Sequence, residues 1–326
     1  MSEAVASTPS PSVARHSYRG YFYIAAAALA WGISATLGRA AFTGRLLPHA
    51  GMAKIDPLIL SQCRTTFSFL ALLLILMPRR GVSGLRLAWR EVVKVFVLGI
   101  AGVAVSNYFY YLAIQLTNVA TAIIVQYTAP VWVLLYMVAR GKERPTGARV
   151  ASVALALLGI ALVIGLFGQG RLHLNGWGIG AALIAALSFS FYNIGGHSIL
   201  ERLDRWTVLF YTTLSASLFW LFLNPPARIA AAHYSPAAWI FLAVFALISV
   251  LLPFSFYFAG LQHLEPTRAI IVSCLEPVFS ILIAAIALGE VMHPVQDLGV
   301  VMVLGAIVIV QRQASGGALP SAGPVD

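Results

Sequence analysis

The sequence predicts an all-α polytopic membrane protein. It has ten transmembrane helices, arranged as two inverted five-helix repeats with both termini cytoplasmic. Three observations carry this. Of 326 residues, 60% are hydrophobic and only 10% charged, where a soluble domain is about a quarter charged. Apolar runs of the ~20 residues that cross a bilayer core recur along the chain. Residues 109–143 also return, diverged, 147 positions later at 256–290.

The repeat is the strongest of these. Without a gap, 11 of 35 aligned positions are identical, among them Gln115/Gln262, Pro130/Pro277 and Glu143/Glu290. Apolar bias explains matched Ile and Val; it does not explain matched proline, glutamine and glutamate in one register.

In order, residues 1–19 are rich in Ser, Pro and Ala and read as a loose tail. Helices are expected at 20–42, 58–77, 92–114, 119–139 and 148–167, then at 176–199, 207–223, 237–261, 267–288 and 297–311. The repeats are thus 20–172 and 173–312, with a second loose tail at 313–326. The first helix could mimic a signal-peptide core, but it is long enough to span and nine more follow, so it is read as retained. The ~10-residue alternating segments of a β-barrel are absent from the sequence.

Orientation follows from Lys and Arg. With a cytoplasmic N-terminus, fifteen fall in inside segments and five outside (Arg39, Arg45, Lys54, Arg171 and Arg228), while Arg64 lies within a span. This is the positive-inside pattern. It also accounts for the net charge of +10 without a nucleic-acid partner. Five helices is an odd number, so the second repeat enters the membrane opposite to the first. Such architectures place a substrate site near the midplane, at the repeat interface, and suit alternating access.

Several function classes are set aside. Cys63 and Cys274 lie inside helices and read as small buried apolar residues. No metal-ligand spacing exists, so neither a metal nor another cofactor is expected. Gly176-Trp177-Gly178-Ile179-Gly180-Ala181 imitates a dinucleotide fingerprint, but no strand precedes it. An enzyme would need a nucleophile–base set at membrane depth. Only Glu276, Arg64 and His197 are ionisable there, with no productive spacing.

The candidate site residues are those that are costly or unusual in a span. Pro130 and Pro277 fall mid-span and are expected to act as hinges, freeing the carbonyls of Gln126 and Ser273 four residues earlier. Glu276 is the only acidic residue well inside a span, where a charge costs ~2.5–3.5 kcal/mol; it could hold a substrate ammonium or carry a coupling proton. Its repeat counterpart is Ala129. Arg64 reads first as a structural residue and second as a carboxylate anchor. Asn107, Tyr110 and Tyr111 share a helix face. Gln126, Tyr127, Tyr192, Asn193, Tyr257 and Trp31 complete a polar and aromatic set suited to a small amphipathic ligand. Trp31 and Phe189 take equivalent places in the two repeats. Gly102/Ser106 and Gly176/Gly180 are expected to let helices approach closely.

Ala30-Trp31-Gly32, Arg64, Pro130, Leu275-Glu276-Pro277-Val278, Leu288-Gly289-Glu290, Gly299 and Gly305 together resemble the EamA-type transporters of the drug/metabolite transporter superfamily, from about residue 20 to 312. The resemblance implies a ten-helix inner-membrane carrier with a central cavity, exporting small metabolites and functioning as a monomer in the lipid bilayer. It is similar to amino-acid exporters, including the YddG-type exporters of aromatic amino acids. A multidrug or other metabolite exporter and a passive channel or facilitator are the alternatives. Proton coupling is open.

Overall fold

The structure is a computed structural model and describes residues 11–43, 55–117, 119–165, 175–288 and 293–316. All regular elements among them are helical. Among the described residues, nine helices are long and apolar enough to cross a membrane, and a tenth, Gly147–Val163, is a shorter apolar helix. Large apolar side chains such as Leu74, Phe222 and Ile286 are 75%, 85% and 86% exposed. That outer surface is unsuited to water and suited to lipid.

The ten spans follow the expected order. The first is Pro11–Thr43 and the second Pro57–Arg80. The third joins Trp89–Val97, a π segment Leu98–Ala104 and Val105–Leu116. The fourth is split into Val119–Gln126 and Ala129–Ala139, and the fifth is Gly147–Val163. The sixth and seventh are Gly176–Leu200 and Arg205–Leu223. The eighth joins Pro236–Ala246, a π segment Leu247–Leu251 and Leu252–Leu261. The ninth is split into Pro266–Ser273 and Leu275–Leu288, and the tenth is Pro294–Gly316.

Local chemistry fixes the span starts. The Asp56 carboxylate accepts from the amides of Leu58 and Ile59 at 2.8 and 3.2 Å, with Pro57 next in line. Ser235-Pro236 repeats the device, its hydroxyl oxygen accepting from the Ala238 amide. Asn175 and Asp204 cap the sixth and seventh spans. Each cap satisfies amides that a helix end leaves open, and proline at the first position loses no hydrogen bond.

Two expectations are corrected at the ends. Helix begins at Pro11, so Pro11–Arg19 is not a loose tail; Val13, Ala14 and Arg15 are residues that a helix accepts once proline has opened it. The last helix runs to Gly316 rather than 311. Residues 1–10 and 317–326 lie outside the described residues, as does Glu290. A short helix, Pro226–Ala231, precedes the eighth span.

The fifth and tenth spans hold the same place in the two repeats, and they pack along each other. Their crossing is built of glycine. A Cβ on Gly159 would stand 2.8 Å from the Gly299 carbonyl oxygen, and one on Gly299 would stand 2.6 Å from that of Gly159. Ala156 and Val303, which are 147 positions apart, are both 0% exposed at this crossing. The two-fold relation between the repeats passes here.

Of the small-residue pairs, Gly102 and Ser106 do seat a neighbour. A Cβ on Gly102 would meet Tyr192 Cβ at 2.8 Å, and Ser106 donates to the Ala185 carbonyl at 3.1 Å. Gly176 and Gly180 do not: nothing lies within 4 Å of either Cβ position. Gly178 between them is the close contact, 2.4 Å from a Thr117 methyl. The helix simply presents the opposite face.

Candidate functional site

Both prolines sit just after a break in their helix, but the break falls earlier than expected. In the fourth span it takes Tyr127 and Thr128, and in the ninth Cys274. Side chains occupy the carbonyls there. The Thr128 hydroxyl donates to the Val125 carbonyl at 2.6 Å, and Trp132 Nε1 donates to the Thr128 hydroxyl at 3.1 Å. Ser273 and Cys274 both donate to the Ile270 carbonyl, at 2.8 and 3.4 Å. These contacts hold the breaks without water, as the bilayer interior requires.

Around the breaks, polar side chains from six spans converge. Arg64 Nη2 donates to Asn107 Oδ1 at 2.9 Å, and Asn107 Nδ2 donates to the Val103 carbonyl at 2.9 Å. Arg64 therefore points into the bundle. The Tyr127 hydroxyl donates to the Glu276 carboxylate, and the charge of Arg64 acts on the same carboxylate. Asn193 Nδ2 donates to the Tyr257 hydroxyl at 2.7 Å, and Tyr257 also hydrogen-bonds Ser273. Gly32 brings the first span against the ninth: a Cβ there would lie 3.2 Å from the Glu276 carbonyl oxygen and 3.0 Å from Phe279 Cβ.

The set divides into two layers. Arg64, Asn107, Tyr110, Tyr111, Gln126, Tyr127 and Glu276 keep partial exposure and form the more open layer. Tyr110 and Tyr111 have ring centroids 5.6 Å apart. Trp31, Tyr192, Asn193 and Tyr257 are 8%, 1%, 0% and 0% exposed, and lie behind that surface rather than on it. Trp31 packs on Tyr257 and Phe254, each at 5.3 Å, and meets its repeat counterpart Phe189 edge-on at 6.5 Å. Helical spacing identifies their face; it does not tell a wall from a lining.

The arginine-rich end, cytoplasmic by the charge distribution, is tightly packed. Ala129, Val133 and Met137 of the fourth span pack with Ile270 of the ninth and Ala186 of the sixth. Below them Arg149 donates to Glu143 at 2.9 Å and to Glu265 at 2.8 Å, and Arg268 approaches Glu265 at 3.4 Å. The Glu143 side chain is 1% exposed. Burial pushes its carboxyl above the ordinary value, although Thr267 and Arg149 pull the other way. Asp204 shows the opposite balance: burial raises it, but hydrogen bonds from Arg80 and Thr207 hold it below its ordinary value. Among the described residues no group of three metal-binding side chains exists. His197, unpartnered in the sequence reading, contacts the Leu261 carbonyl at 2.8 Å.

A bundle of apolar spans with ionisable and amide side chains gathered inside it is the build of a membrane transporter for small metabolites. The chain belongs to the EamA-like transporter family, whose model matches residues 18–165 and 176–312. It is 23% identical over 298 residues to the uncharacterised inner membrane transporter YicL of Salmonella typhimurium, covering 90% of this chain and 95% of that one. It is 30% identical over 203 residues to the threonine/homoserine exporter RhtA of Escherichia coli, covering 62% and 64%. A crystal structure with 20% sequence identity superposes with a TM-score of 0.72 over 92% of this chain and 98% of that one. The protein is a multi-pass protein of the inner membrane.

If the breaks are hinges, restoring an N–H there changes movement more than folding. Pro130→Ala and Pro277→Ala are expected to keep thermal stability within about 1 kcal/mol while lowering uptake several-fold. Melting curves and uptake on the same preparations check this, and unchanged uptake counts against the hinges.

Proposed function

We propose that the protein is a secondary carrier exporting small neutral amino acids by alternating access around a site at Glu276. The observation that carries this reading is the convergence of the Arg64 cation, the Glu276 carboxylate and the Asn107 and Gln126 amides among apolar spans, beside a packed apolar layer and an ion-pair cluster at the arginine-rich end. Pro130 and Pro277 are the hinges, and the aromatic wall of Trp31, Tyr192 and Tyr257 backs the site. The threonine/homoserine exporter among its relatives favours small polar amino acids over aromatic ones. A complete pair of repeats in one chain lets a monomer do this.

The test is uptake of the common amino acids into proteoliposomes, with and without a pH gradient. Saturable uptake of threonine or homoserine, accelerated by the same solute on the far side, is the expected result. Accumulation driven by the gradient would add proton coupling. Linear, unsaturable flux would replace the carrier with a channel, and uptake of none would overturn the amino-acid reading.

A further inference from the structure

Arg64 and Glu276 carry opposite charges and keep partial exposure, and the charge of Arg64 acts on the Glu276 carboxylate. In a low-dielectric interior such groups ordinarily close on each other, yet these do not. No Asp or Glu oxygen among the described residues comes within 4.0 Å of the Arg64 guanidinium, and no Lys or Arg nitrogen comes that close to Glu276. Each is instead tethered by a neutral partner. Asn107, itself fixed by the Val103 carbonyl, holds one arm of Arg64. Tyr127 holds Glu276. Arg64 Nε is buried without a hydrogen-bond partner. A guanidinium donates through Nε and an adjacent Nη as a fork that fits a carboxylate, and one tine of this fork has nothing on it.

We propose that Arg64 and Glu276 form an open ion pair that a zwitterionic α-amino acid closes, its carboxylate on Arg64 and its ammonium on Glu276. The inference rests on the amino-acid reading above and narrows it. A simple amine satisfies Glu276 and leaves Arg64 unanswered; a simple carboxylic acid does the reverse. A small zwitterion, with both charged groups on one carbon, neutralises both walls while bringing no net charge into the membrane. Either charge left alone there is costly. Glu276 is then a ligand anchor, and its absence from the first repeat, where Ala129 stands, follows: one zwitterion needs one anchor of each sign.

The experiment compares threonine, the amine that lacks its carboxylate and the hydroxy acid that lacks its amine, in proteoliposomes holding the full chain. The wild type is expected to take up threonine at least about tenfold faster than either fragment. Arg64→Gln is expected to lower threonine uptake about tenfold to a hundredfold and to spare the amine. Glu276→Gln is expected to lower threonine uptake comparably and to spare the hydroxy acid. Arg64→Lys keeps the charge without the fork, guards against a folding defect, and is expected to fall between. Undiminished threonine uptake by Arg64→Gln overturns the open pair and leaves the amino-acid carrier standing. Uptake of no amino acid by the wild type overturns both.

Discussion

Arg149→Gln is expected to be among the most destabilising single substitutions in the chain. Arg149 ties Glu143, at the end of the fourth span, to Glu265, at the start of the ninth. With Arg149 gone, Glu143 keeps its 1% side-chain exposure and loses its cation. Removing one member of a buried pair costs about 3–5 kcal/mol. Part of that is escaped by protonation, which gives the effect a pH dependence of known sign. Burial already raises the Glu143 carboxyl above its ordinary value, and Arg149 is one of the groups opposing that rise. The unfolded chain releases this proton near the ordinary carboxyl value; the folded variant holds it to higher pH. Between those two values the folded state binds more protons, so stability falls as pH rises. Melting curves should therefore show the deficit growing from acidic toward neutral pH, and Glu143→Gln/Arg149→Gln should recover most of it. A deficit that shrinks as pH rises would contradict this account.

The second large effect is at the helix crossing. Gly159→Ala and Gly299→Ala each put a Cβ under 3.0 Å from a backbone carbonyl oxygen of the partner helix. Backbone cannot step aside as a side-chain tip can, so each should cost about 1–3 kcal/mol by overpacking. Gly159→Leu should exceed that. The control is Gly176→Ala, where nothing lies within 4 Å; relief of the glycine penalty makes it neutral or stabilising by up to about 1 kcal/mol. Thermal unfolding in one detergent compares all of them. Equal behaviour of Gly159→Ala and Gly176→Ala would mean that the two spans are not seated on each other.

Much of the fold was legible because a bilayer leaves the chain few choices. Each span had to be helical and of a set length, and caps such as Asp56-Pro57 and Ser235-Pro236 mark where spans begin. The repeat was legible from Pro130/Pro277 and their neighbours. The polar cluster was legible in kind, since Glu276 and Arg64 are expensive wherever they point. Its arrangement was not. Nothing about Tyr192 and Asn193 on the sixth span points to Tyr257, 64 residues on from Asn193, whose hydroxyl accepts from the Asn193 amide and closes that layer off. The same holds for the pairing of Arg149 with Glu265, 116 positions apart. The glycine pairs show the limit most sharply: Gly176 and Gly180 had the right spacing, and Gly178 had the neighbour.

The π segments Leu98–Ala104 and Leu247–Leu251 left no mark that the reading caught, although Pro253 follows one of them. They end at Ala104 and Leu251, the same 147 positions apart as the paired prolines. A π turn is a helix with an extra residue lodged in it. Each half therefore carries the same widened turn in its third span, just before that span reaches Tyr110 or its counterpart Tyr257.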